Sequence, residues 1–179
     1  GLASIELSFA MDIRLRKTGI ENFKIKIFER GTAFGALSQN QQRYLKAKAA
    51  LRKIEIIENT VVKEVSTDGL IKENGKLVHA GFIVSCIGPQ PNDLIKNSKI
   101  ENRDGYASVD RTLKVKGFNN AFAVGDCADF PSQVLDKSGV YAVRQAPILY
   151  KNILKLLSNK ELVQFKPQSD YLKLIVYEG

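Results

Sequence analysis

The stretch Ala121-Phe122-Ala123-Val124-Gly125-Asp126-Cys127-Ala128-Asp129 limits what this chain can become more than any other. An apolar run of strand type stops at Gly125-Asp126, small residues follow, and a helical pattern begins near Gly139 or Val140. A parallel strand buried on both faces ends in this way where its carboxyl end meets a ligand. Gly125 lets the backbone approach a phosphate or ribityl group closely. Asp126 supplies an acceptor for a sugar hydroxyl. The start of the next helix aims free N–H groups and a positive dipole end at the same place. Alone, strand-Gly-Asp also spells an ordinary turn, so its weight comes from its surroundings.

A chain of 179 residues suits one large domain or two small ones, and a hydrophobic fraction of 44% supports a real core. No apolar run reaches the roughly 18 residues of a membrane helix, and no basic-then-apolar leader opens the chain. It starts on Gly1-Leu2-Ala3-Ser4, directly in helical periodicity, as a piece of a longer polypeptide would. The formal charge of +8 is spread along the chain without a dense block. That pattern speaks against nucleic acid and for a basic surface that attracts anionic cofactors or a membrane face. Cys86 and Cys127 stand alone and His79 is the single histidine, so no local dithiol and no His/Cys metal cluster is expected. Both cysteines read as small buried hydrophobes in a reducing, cytoplasmic compartment.

Leu2, Ile5, Leu7, Phe9, Ala10, Ile13 and Leu15 recur at largely helical spacing, with Arg14, Arg16 and Lys17 at the end and Gly19 as the cap. Phe23 to Glu29 alternates as a strand and ends in an acid. Helix, loop, strand and terminal acid make the second half of a βαβ unit. In the dinucleotide fingerprint the acid lies about 20 residues past the glycines and binds ribose hydroxyls. Glu29 takes that place if Gly1 is the second fingerprint glycine and Ser4 stands for the third; a surface acid at a strand end is the plainer alternative. Gln39 to Arg52 has the composition of a helix. Ile54–Ile57, Thr60–Ser66, Leu70–Lys72 and Lys76–His79 read as short strands, with Asp68-Gly69 and Asn74-Gly75 as hairpin turns of a small antiparallel meander. Gly81 to Pro89 is apolar throughout and predicts a parallel strand buried on both faces, ending at Gly88. A polar connector over Pro91 to Asn102, strands at Tyr106–Asp110 and Leu113–Val115, and a helix from Val140 to Leu157 with Pro147 near its start complete the core of the pattern. Phe165 to Gln168 and Tyr171 to Tyr177 close the chain, the latter as an alternating strand.

Three motifs in order resemble the pyridine nucleotide-disulfide oxidoreductase superfamily. Gly1-Leu2-Ala3-Ser4-Ile5-Glu6-Leu7 is similar to its Gly-x-Ala-Gly-Val-Glu-Leu segment, Ser85-Cys86-Ile87-Gly88-Pro89-Gln90-Pro91-Asn92 to its second glycine motif, and Ala123-Val124-Gly125-Asp126-Cys127-Ala128 to its flavin-binding Gly-Asp motif. Lys137-Ser138-Gly139-Val140-Tyr141-Ala142-Val143-Arg144-Gln145-Ala146-Pro147 resembles a run in the type II NADH dehydrogenase-like branch, in flavoproteins found alone or fused to selenide, water dikinase.

The resemblance implies an α/β fold: a Rossmann-like NAD(P)H domain with an antiparallel meander over residues 1–90, the carboxyl-terminal part of an FAD-binding Rossmann-like domain over 91–159, and the start of an interface domain over 160–179. The amino-terminal FAD-binding half and the first NAD(P)H-domain strand are absent from this sequence. It implies FAD and NAD(P)H as cofactors, hydride taken from the nicotinamide, and electrons passed to a quinone or another small acceptor. Gly1 and Ser4 would hold the pyrophosphate, Glu29 the ribose, and Gly88 would border the nucleotide. Glu6 would approach the nicotinamide amide. Asp126 with Gly125 would bind flavin ribityl or phosphate, Val140 would lie near the pyrimidine end, and Gln145 with Arg144 would serve the acceptor side. Peripheral contact with the inner membrane face and association with a selenide, water dikinase-type domain are part of the same expectation. The alternative is a non-catalytic nucleotide-binding or regulatory module.

Overall fold

The computed structural model describes residues 1–131 and 135–168. They fall into two compact units that divide between Ile87 and Gly88.

In the first unit, α1 (Leu2–Lys17) and α2 (Gln39–Leu51) flank a parallel pair of strands, β1 (Lys26–Phe28) and β2 (Glu55–Ile57), in register Lys26 to Glu55 through Phe28 to Ile57. Two parallel strands cannot be joined by a hairpin, and α2 makes the crossover. α1 ends as its sequence predicts. Gly19 takes φ +80°, and the N–H of Ile20 reaches back to the Leu15 carbonyl at 3.0 Å. α2 starts at an N-cap that the sequence reading missed: Ser38 accepts from the Gln41 N–H while the Gln41 side chain takes the Ser38 N–H. The core joins Ile5 and Phe9 of α1, Ile27 of β1, Leu45 and Ala49 of α2, and Ala33, Phe34 and Ile54. Buried with it is Asp12, only 1% exposed, held by Arg16 Nε at 2.9 Å and Arg52 Nη1 at 3.0 Å. The meander forms as expected, with β3 (Val62–Ser66), β4 (Gly69–Lys72) and β5 (Leu77–His79) antiparallel in that order.

Gly81 to Pro89 departs from expectation. Residues 82–86 belong to no strand, and Phe82 and Ile87 are 73% and 82% exposed. An apolar run becomes a buried parallel strand only when a neighbour supplies its ladder bonds. The parallel sheet among the described residues has two strands, β1 and β2, and this run is not one of them.

The second unit holds α3 (Asp93–Lys96), capped by the Asn92 side chain inside the stretch expected as a connector. β6 (Asn102–Arg103), β7 (Tyr106–Ser108) and β8 (Ala128–Asp129) form a sheet in which β6 and β7 are antiparallel and β7 and β8 parallel. The Ala121–Val124 run is therefore not the parallel strand of the sequence reading. It bridges antiparallel to Leu113–Val115, through Lys114 to Phe122, and the parallel pairing comes after the Gly-Asp turn, at Ala128 and Asp129. Val109, Leu113, Val115, Ala123, Phe130, Tyr141 and Phe165 build the core, with the Phe130 and Phe165 rings edge to face at 5.7 Å.

α4 (Gly139–Leu157) crosses this core with Pro147 inside it. The face it buries is mixed, with Ile148 packed on the core beside polar side chains. Tyr141, Gln145 and Asn152 are buried, whereas Val143, Tyr150, Leu154 and Leu157 are exposed. Asn152 donates to the carbonyls of Thr112 and Val163, both at 2.8 Å, and accepts from the Val163 N–H at 2.7 Å. The backbone beneath α4 needs polar partners, and that need selects the face. Residues 161–168 form no strand, and the strand expected at Tyr171 to Tyr177 lies outside the described residues.

Candidate functional site

In the first unit, the carboxyl rim of the parallel pair carries two acids. Glu29 follows β1, and its Oε2 lies 2.7 Å from the nitrogen of Gly1, the N-cap of α1. The Ser4 hydroxyl, in the first turn of the same helix, donates to the Gly1 carbonyl at 2.7 Å. A helix start, a glycine with open space around its Cα, and a strand-end acid thus meet at one point. The Glu29 Oε1 also accepts the Arg30 N–H at 3.0 Å. Glu6 sits half-buried in the second turn of α1, beside the buried Ile5.

The second rim acid, Glu58, was not singled out in the sequence. It accepts the Ala33 N–H at 2.6 Å and two contacts from Lys46 Nζ at 2.8 and 2.9 Å. Its signal was the position after an apolar strand, the same as that of Glu29. The Lys46 hydrogen bond lowers its pKa most, followed by the Ala33 N–H.

In the second unit, Gly125–Cys127 is a single 3₁₀ turn with Gly125 at φ +64°. A Cβ on Gly125 would come 2.9 Å from the Cβ of Ala142 in the first turn of α4, so glycine is required for this close approach. Asp126 lies exposed at the middle of the turn. Ser138, the N-cap of α4, makes no side-chain cap bond, and Val140 is half-buried in the first turn. Gly88 takes φ +93° with open space around it.

Gln145, expected on the acceptor side, turns toward the Gly125 turn. It is 2% exposed, and its Oε1 accepts the Gly125 N–H at 2.6 Å. It lies on the face of α4 that carries Tyr141 and Ile148 onto the core; the neighbouring Arg144 stays exposed. Cys127, expected to be buried, is exposed, its thiol donating to the Val124 carbonyl at 3.1 Å.

Lys137 received no role from the sequence. It lies 4.1 Å above the Tyr106 ring and donates to the Ala128 carbonyl, bordering a cavity of about 150 Å³ lined also by Arg103, Asp129 and Phe130. Burial lowers its pKa, against the opposing pull of Asp129 and Asp126. Among the described residues no group of His, Cys, Asp or Glu could hold a metal ion.

A family model described as pyridine nucleotide-disulphide oxidoreductase matches residues 1–151. The chain belongs to this family. It is 33% identical over 136 residues to a probable NADH dehydrogenase of Dictyostelium discoideum, covering 70% of this chain and 28% of that protein. It is 27% identical to the demethylphylloquinone reductase NdbB of Synechocystis, covering 97% of this chain and 45% of the relative. Among solved structures, a ferredoxin reductase of Rhodopseudomonas palustris superposes with a TM-score of 0.67 at 17% identity, over 87% of this chain and 39% of that one. The sulfide:quinone oxidoreductase of Aquifex aeolicus gives 0.65 at 21%, over 86% and 40%. These likenesses show an α/β Rossmann-like fold. The chain spans less than half the length of these relatives.

The cofactors of this family of oxidoreductases are FAD and NAD(P)H, and the residues present fit both. The glycine-capped start of α1 beside Glu29 suits a nucleotide with a ribose and a diphosphate. The Gly125 turn under α4, where a Cβ would collide, suits a flavin's ribityl or phosphate.

Proposed function

We propose that this chain is the NAD(P)H-binding and part of the flavin-binding portion of an FAD-dependent oxidoreductase that takes hydride from NAD(P)H and passes the electrons to a quinone or another small acceptor. The observation that carries the reading is the meeting of the α1 start with the β1-end acid at 2.7 Å. Glu29 accepts the adenosine ribose hydroxyls, and its charge repels a 2′-phosphate, so NADH is the preferred donor. The neighbouring Arg30 softens that preference. Gly1 and Ser4, at the dipole end of α1, face the pyrophosphate. Glu6 approaches the nicotinamide amide, and Gly88 borders the nucleotide. Asp126 binds ribityl hydroxyls, and Val140 shields the pyrimidine end. Bound FAD supplies the two-electron chemistry, and the protein supplies position and field. The names of NdbB and of the sulfide:quinone oxidoreductase favour a quinone acceptor.

We assign residues 1–90, 91–159 and 160–179 to the NAD(P)H, FAD and interface portions. A cytoplasmic location is proposed, with peripheral membrane contact; no described helix is long and apolar enough to cross a membrane. Association with a selenide, water dikinase-type domain rests on the Lys137–Pro147 motif alone.

The test is titration of the chain with FAD and NADH, followed by NADH-dependent dye reduction. Binding of both with turnover supports the enzyme. Binding without turnover favours the nucleotide-binding or regulatory module. Binding of neither refutes the reading.

A further inference from the structure

We infer that Gln145 is the positioning residue of the Gly125–Asp126 turn, holding the Gly125 amide from inside the protein so that Asp126 faces the ligand. This rests on the proposed flavin reading of that turn.

The physical case begins with burial. A primary amide at 2% exposure is costly unless it is hydrogen-bonded, and the bond it makes here runs to a backbone group 20 residues away. Its target is the first N–H of the 3₁₀ turn, which has no partner inside the turn. Ala142 and Gln145 are three residues apart and therefore share one face of α4. Ala142 is small enough for Gly125 to approach, at the limit where any Cβ on Gly125 would clash at 2.9 Å. Gln145 then secures the approach with a bond of 2.6 Å. α4 thus sets both the height and the orientation of the turn.

Three backbone acceptors around the turn are engaged as well. The Gly125 carbonyl takes the Ala128 N–H, the Ala128 carbonyl takes Lys137, and the Val124 carbonyl takes the Cys127 thiol. With the turn anchored on its inner side, the Asp126 side chain is directed outward, and it is exposed. The choice of glutamine over glutamate matters. A neutral acceptor holds the N–H without placing a second negative charge beside Asp126, where a phosphate or a polyol must bind.

The experiment uses the full chain, ¹⁵N-labelled, with exchange of the Gly125 amide as one readout and FAD titration by flavin fluorescence as the other. For Gln145→Leu, the Gly125 amide exchanges about tenfold faster or more, and FAD affinity falls by about the same factor, as expected for loss of one buried hydrogen bond. For Gln145→Glu, protection is retained. FAD affinity is near that of the parent at low pH and falls as the introduced carboxyl ionises, whereas the parent shows no such step. Unchanged protection and FAD affinity in Gln145→Leu overturns the proposal. So does equal loss of both readouts in the two variants together with loss of far-ultraviolet circular dichroism, since that marks a purely structural role. If the parent binds no FAD while Gln145→Leu still unprotects Gly125, the turn-holding role stands and the flavin reading fails.

Discussion

The nitrogen of Gly1 and the carboxylate of Glu29, 28 residues apart in sequence, lie 2.7 Å apart in space. One belongs to the start of a helix and the other to the end of a strand. Under the proposed function the acid takes a ribose and the helix start a diphosphate. Glu29→Gln is expected to weaken NADH binding by about tenfold, the cost of losing a charge-assisted acceptor, and to narrow the gap between NADH and NADPH. Parallel fluorescence titrations with the two nucleotides measure both effects. An unchanged ratio means that Glu29 does not touch the ribose.

Gly125 and Gly139 predict opposite outcomes for the same substitution. Gly125→Ala forces a Cβ to within 2.9 Å of Ala142 at a φ of +64°, and should cost about 1–3 kcal/mol through overpacking and strain. Gly139→Ala meets nothing within 4 Å, is not at positive φ, and opens α4, so it should be neutral or stabilising by up to about 1 kcal/mol. Chemical denaturation of the two variants decides the matter.

Asp12 is buried between Arg16 and Arg52. Asp12→Ala removes the carboxylate that both guanidinium groups use, and Arg52 also lies over the Phe9 ring at 5.8 Å. Arg16 is half exposed and Arg52 partly so, and solvent takes up the freed guanidinium groups, so a loss of about 1–3 kcal/mol is expected, from the lost charge-assisted hydrogen bonds. The midpoint of urea unfolding measures it, and a loss under about 1 kcal/mol would mean that solvent screens the pair.

Glu58 makes stability depend on pH. Its folded pKa lies below the usual carboxylate value, chiefly because of the Lys46 hydrogen bond and then the Ala33 N–H. A carboxyl depressed on folding binds fewer protons in the native state. It therefore stabilises the fold above its unfolded pKa and loses that contribution as pH falls through the folded value. The stability difference between the parent and Glu58→Gln should be full near neutral pH and shrink below about pH 4.5. Thermal unfolding from pH 6 to pH 3 follows it, and a difference independent of pH would remove the carboxylate from the account.

The elements most legible in the sequence were those whose signals are local. The Gly19 cap, the two turn dipeptides of the meander and the helical spacing of Leu2 to Leu15 each depend on a few neighbouring residues. Gly125-Asp126 and Glu29 fall where their motifs put them, at a tight turn and at a strand end. Gly81 to Pro89 was misread because apolarity reports that a segment should be buried, not which neighbour buries it. Gln145 was misread because a polar residue on a helix gives no sign, by itself, of which way it turns.

The order of residues alone determined the three long helices, the meander turns, the close approach at Gly125 and the family to which the chain belongs. These follow from φ preferences and periodicity, which act over a turn or two. Tertiary structure alone decided which face of α4 is buried, which strand runs parallel to β7, and which lysine meets Glu58. Those outcomes depend on satisfying buried N–H and C=O groups between segments far apart in the chain, such as Gly125 with Gln145 and Val163 with Asn152.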